Sequence, residues 1–216
     1  MAEHPVASDR SQRLTVTGGW LVVAGCVLIV VTAVVGALGQ SVTIGSAGVG
    51  SVALTVALAA LGAGFALLAV SGPPATGGVS ARVGLGLIAV GIGATLVSSV
   101  IAGGMNSDPL EEWAFVVPFL AGGFAMLLGV PVTVIGLLLH AGTPRRIAAA
   151  FLGGLAVIVV GGMISSAVMT DDPSAGVPVA ATLVAAAGLA LVLASVGGLG
   201  AAAIMGARVP ETAAAE

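Results

Sequence analysis

The sequence predicts an all-α, polytopic transmembrane bundle of six spans, arranged as three sequential helical hairpins with both termini inside. Three observations carry that reading. Charged residues make up only 7% of the 216-residue chain and apolar ones 58%, with a mean hydropathy of +1.22. A water-facing surface needs roughly 25% charged residues, so the solvent around this chain is lipid. Six charge-free runs are each long enough to cross a ~30 Å hydrocarbon core, which takes about 20 helical residues. All six arginines fall in segments that share one side of the resulting topology.

The runs are 18–40, 47–71, 83–104, 113–139, 147–169 and 177–206. Together they make one membrane domain over 18–206, flanked by cytoplasmic tails at 1–17 and 207–216. The first run follows Arg10 and Arg13, and Ala37-Leu38-Gly39 loosely resembles a leader cleavage site. The run is longer than the roughly 7–15 apolar residues of a leader, so it is expected to remain as a span. The fourth run contains Pro118 and Pro131. Pro131 lies deep within it, removes one backbone bond, frees the Leu127 carbonyl and predicts a bend. The sixth run is over-long, which predicts tilting, and Pro178 suits its opening turn.

Orientation follows from charge. Arg10 and Arg13 precede the first span, Arg82 lies in the second loop, Arg145 and Arg146 in the fourth, and Arg208 in the C-terminal tail. The first, third and fifth loops hold no arginine; their charges are Asp108, Glu111, Glu112, Asp171 and Asp172. Positive charge is retained on the cytoplasmic face, so both termini are expected there, in a cell membrane. Trp20 and Trp113, near span ends, read as interfacial anchors. The Ala-, Gly- and Val-rich composition without lysine or tyrosine suits a GC-rich bacterial genome.

A partial internal repeat reinforces the last two hairpins. At an offset of 64 residues, Arg82 meets Arg146, Met105 meets Met169, Asp108 meets Asp172 and Pro109 meets Pro173. The positions shifted back into the first hairpin are Gly18, Ser41, Ile44 and Gly45, which carry none of these marks. Duplication is therefore legible for two hairpins only.

Each span also carries a face of small or hydroxyl residues. The clearest runs Gly122, Met126, Gly129, Thr133, Gly136 and His140 at helical spacing. Others are Ser51, Thr55, Ala59, Gly62 and Ala66 in the second span, and Gly84, Gly91, Thr95 and Ser98 in the third. The fifth offers Gly154, Gly161 and Ser165; the sixth, Ala186, Ala190, Ala194, Gly197 and Ala201. Small residues let membrane helices approach closely, and the same residues suit the wall of a narrow path. Met126, Gly129, Pro131, Thr133 and Gly136 are accordingly the candidate pore or packing face, because interrupted helices also mark transport sites.

The chemistry is sparse. No acid, lysine or arginine lies mid-span, which argues against ion coupling and proton relay. Ser98, Ser99, Ser165 and Ser166 have no intramembrane base, and no G-x-S-x-G elbow is present. His4 and His140 stand apart, and the single Cys26 reads as a small packing residue, so no metal, cofactor or catalytic residue is expected. Asp108-Pro109-Leu110-Glu111 has the form of a helix cap followed by proline at the first helical position. Asp108, Glu111, Glu112, Asp171 and Asp172 nevertheless form a candidate external acidic cluster for a weakly held cation. The expectation is a non-enzymatic membrane subunit of structural or accessory role, with the lipid bilayer, a second copy or another membrane protein as partner and no nucleic acid. The alternative is a facilitator for a small neutral or hydrophobic solute.

Overall fold

Six long helices dominate the computed structural model, which describes residues 5–37, 43–44, 47–71, 78–104, 109–139, 143–171 and 179–208. They are α1 (Pro5–Ala37), α2 (Val49–Ser71), α3 (Gly78–Gly104), α4 (Pro109–Leu138), α5 (Thr143–Asp171) and α6 (Val179–Arg208). All six are long and apolar enough to cross a membrane. The chain is thus all-helical in its main architecture and multi-pass in character. One small addition lies between α1 and α2: β1 (Thr43–Ile44) pairs antiparallel with β2 (Ala47–Gly48).

The helices extend beyond the apolar runs because their ends have work outside the hydrocarbon. α1 starts at Pro5, inside the segment read as a tail, and proline suits a first helical position. Its early polar residues tie neighbouring helix ends. The Ser11 hydroxyl donates to the Ser71 carbonyl at 2.8 Å, and the Gln12 amide donates to the Ala207 carbonyl. Arg82, near the start of α3, donates to the carbonyls of Ala69 (3.0 Å) and Val70 (3.4 Å). The last carbonyls of a helix lack intrahelical partners, and these side chains supply them. They also fix the starts of α1 and α3 beside the ends of α2 and α6. α3 opens on Gly78 with φ of 79°, a left-handed conformation that glycine adopts without strain. α4 begins at Pro109 and continues through both Pro118 and Pro131.

Each helix packs on its sequence neighbours, and α6 closes onto α1, giving a ring of six. The most extensive contacts join α1 with α2, α3 with α4, and α5 with α6; α4 with α5 is the slightest link of the ring. Core side chains come from all six helices, among them Val22, Phe65, Leu85, Val134, Ala148 and Leu199.

The three extensive contacts share one design. A Cβ added to Gly18 or Gly25 of α1 would meet the carbonyls of Gly64 or Ala57 of α2. In the second pair, Gly84 and Gly91 stand against the carbonyls of Gly129 and Gly122. In the third, Gly154 and Gly161 stand against those of Gly188 and Ala181. The two contact points are seven residues apart on every helix and run in opposite order, so each pair is antiparallel with a heptad seam. The residue four positions beyond each even-helix contact, Leu68, Thr133 or Val192, covers the facing glycine. Ring closure between α1 and α6 uses a similar approach, Gly19 against the Gly200 carbonyl.

Space at each glycine sets the expected cost of filling it. A Cβ at Gly91 would lie 2.5 Å from the Met126 side chain, and one at Gly154 2.9 Å from the Gly188 carbonyl. Nothing lies within 4 Å of the same position at Gly93 or Gly153. Gly91→Leu and Gly154→Leu should each lower stability by about 1–3 kcal/mol, as overpacking does. Gly93→Leu and Gly153→Leu should change it by no more than ~0.5 kcal/mol, as at uncrowded surface positions. Reversible unfolding in mixed micelles checks both.

Candidate functional site

The face picked out on α4 lies against α3. Gly122, Met126, Gly129, Thr133 and Gly136 meet Gly91, Thr95, Gly84, Ile88 and Ala81 at distances that leave no room for a Cβ. Pro131 is on the other side of α4, exposed, as is Leu127 (67% exposed), whose carbonyl the proline leaves without its helical donor. The residues of the candidate face are therefore divided. Four share one contact with α3, and Pro131 looks outward.

The small-residue faces of α3 and α5 also meet partners, α4 and α6 respectively. Those of α2 and α6 point elsewhere. Ser51, Thr55, Ala59 and Ala66 are exposed and Gly62 packs against Ile92 of α3, while α2 meets α1 through Ala57, Leu61 and Gly64. On α6, Ala190, Ala194, Gly197 and Ala201 border an outer groove of about 470 Å³ whose other wall is Val23, Cys26, Val27 and Val30 of α1. Cys26 is buried at the base of that contact.

The interior holds an apolar space. A cavity of about 50 Å³ lies among α2–α6, bounded by Phe65, Leu85, Val134, Ile147, Phe151 and Leu199. Thr133 and Ser195 are the polar residues of its wall. Both hydroxyls are turned back on their own helices: Thr133 donates to the Gly129 carbonyl at 2.8 Å and Ser195 to that of Leu191 at 2.7 Å. Thr15 and Ser98 behave alike, Thr15 donating to the Ser11 carbonyl and Ser98 to that of Ala94, whereas the buried Ser71 hydroxyl at the end of α2 has no hydrogen-bond partner among the described residues. A space of this size exceeds the ~10–15 Å³ one water needs, but a water also needs two to four polar partners, so the cavity is expected to be dry.

Of the candidate acids, Asp108 and Asp172 lie outside the described residues, as does His140; Glu111 and Glu112 lie in the first turn of α4 and Asp171 at the end of α5, without described side chains. Among the described residues, no three His, Cys, Asp or Glu side chains come close enough to hold a metal ion.

Sequence inspection missed the central cavity and the outer grooves. The cavity walls are mostly ordinary Leu, Ile, Val and Phe, separated by up to 134 residues between Phe65 and Leu199; the α6 side of the outer groove is the small-residue face visible in the sequence, and nothing local marks its partner on α1. Compared with protein-family models, curated proteins and solved structures, the chain matches none.

If the wall hydroxyls only satisfy their own helices, removing them changes little. Thr133→Val and Ser195→Ala should each shift unfolding free energy by less than ~1 kcal/mol, in line with typical intramembrane hydrogen bonds. A larger loss in micelle unfolding would mean that the hydroxyls bind something in the interior.

Proposed function

We propose that this chain is a non-catalytic, structural or accessory subunit of a bacterial cell membrane. In this reading it is built as three helical hairpins with both termini cytoplasmic, and acts through its lipid-facing surface. The observation that carries the proposal is the contrast between two sets of glycines. Those at the helix contacts are covered by a neighbouring backbone, whereas Gly93, Gly123, Gly153 and Gly162 have nothing within 4 Å. In lipid, small residues gain their value when another helix packs on them. α5 is the least buried of the six spans and carries two of the four. Exposed Phe119, Phe124, Leu127 and Leu128 on α4 offer bulky surface to a partner helix.

The interior supports the non-catalytic part. The hydroxyls of Thr15, Ser98, Thr133 and Ser195 are bonded within their own helices, and apart from Thr133 and Ser195 the central cavity is walled by hydrocarbon. General acid–base or nucleophilic work needs titratable groups within hydrogen-bond reach of a bound substrate. A facilitator draws less support, because four residues of its candidate lining are spent on α3.

Solubilisation in mild detergent followed by native mass spectrometry tests the reading. A homo-oligomer or a stoichiometric partner complex is expected, and Gly153→Leu or Gly162→Leu should reduce its recovery severalfold without lowering the stability of the chain. A monodisperse monomer without partners contradicts it.

Orientation has its own test. With Cys26→Ala as background, Ser107→Cys should react with an impermeant maleimide added outside intact cells, and Thr76→Cys only after lysis. The reverse pattern would invert the topology.

A further inference from the structure

A crevice of about 240 Å³ runs between α5 and α6 at the arginine-bearing end of the bundle. Its walls are Ala150, Leu191 and Ala194, its base Ser195, and its mouth Thr143 and Arg146. Ala150, Leu191 and Ala194 are all exposed on the outside of the ring, so the crevice opens toward the membrane rather than into the bundle. Thr143 begins the span of α5, which places the mouth at the edge of the hydrocarbon and the walls within it.

The combination is amphipathic in one direction, with a cation and a hydroxyl at the headgroup level and hydrocarbon below. Arg145 adds a second exposed cation beside Arg146, and no acidic residue lines the crevice. The repeat sharpens the point. Arg82, the counterpart of Arg146 at the 64-residue offset, is committed to the carbonyls of Ala69 and Val70. Arg146 makes no hydrogen bond or ion pair among the described residues and stands at the crevice mouth instead.

We propose that the α5–α6 crevice holds one anionic phospholipid, its phosphate at Arg146 and Thr143 and part of one acyl chain along Ala150, Leu191 and Ala194. The guanidinium and hydroxyl supply donors to phosphate oxygens, and a net negative headgroup is favoured by the paired arginines. The small side chains of Ala150 and Ala194 give the chain its depth. The inference rests on α5 and α6 crossing a membrane, and it is indifferent to whether the protein works alone or in a complex.

The unaltered protein, delipidated and titrated in detergent with dioleoylphosphatidylglycerol or dioleoylphosphatidylcholine, provides the test by native mass spectrometry. One molecule of the anionic lipid should be retained with about fivefold preference, the effect expected of one arginine near a membrane surface. Arg146→Gln should abolish the preference, and Ala194→Phe should lower retention of both lipids by filling the crevice. The lipid comparison on the unaltered chain needs no variant to fold. Equal retention of the two lipids overturns the proposal, as does an unchanged preference in Arg146→Gln. Displacement of the lipid by millimolar inorganic phosphate would assign the site to free phosphate and overturn the lipid assignment.

Discussion

Helices in lipid have no hydrophobic reason to associate, since the tails around them are as apolar as their own leucines. What holds this bundle together is therefore close approach of backbones, and the rest of the structure depends on where that approach is permitted. It is permitted at glycine. Six glycines on α1, α3 and α5 each stand against a carbonyl of the following helix, two per pair and seven residues apart. A side chain at any of these points would separate the helices and forfeit the dispersion contacts along the whole seam. Larger side chains cover most of these glycines, Leu68 at Gly18, Leu61 at Gly25, Thr133 at Gly84, Met126 at Gly91 and Val192 at Gly154, whereas Gly161 meets the backbone of Ala185.

The polar inventory is subordinate to this packing. The hydroxyls of Thr15, Ser98, Thr133 and Ser195 bond within their own helices and leave the interfaces to van der Waals contact. The stronger polar groups are kept at the ends, where Ser11, Gln12 and Arg82 satisfy closing carbonyls of α2 and α6. End ties and mid-membrane glycines are complementary. The former determine which helix termini are neighbours, and the latter set how closely the helices run between them. The α4–α5 link has the least of this support, and the same two helices carry exposed bulky side chains on α4 and uncovered glycines on α5.

Much of the architecture was legible because it is written in scarce residues. Charge-free runs marked all six helices, and Pro109 marked the start of α4. The packing faces of α3, α4 and α5 were visible as glycine at helical spacing. Those of α2 and α6 were not, because in a chain with 34 glycines and abundant alanine every helix has more than one small face, and only the neighbour decides which is covered. The repeat shows the same limit. Sequence marks relate the α3–α4 and α5–α6 segments, yet by packing the α1–α2 and α3–α4 pairs agree better. Gly25 and Ala57 are 32 residues apart, Gly91 and Gly122 are 31 apart, and Gly161 and Ala181 only 20. A contact register is set by two helices jointly, and loop residues do not encode it. Cavity and crevice walls were illegible for a related reason: they are made mostly of common apolar residues, brought together by the packing of α2 through α6 in the one and of α5 on α6 in the other.

Closure of α6 onto α1 is the longest-range consequence of the glycine contacts, and one substitution tests it. A Cβ placed at Gly197 lies 4.0 Å from that of the native Cys26, within the usual separation for a disulfide. Gly197→Cys, carrying a protease site in the 72–77 loop, should on mild oxidation yield two fragments that stay joined until reductant is added. Fragments that separate without reductant, in a protein that still elutes as a folded species, would contradict the closed ring.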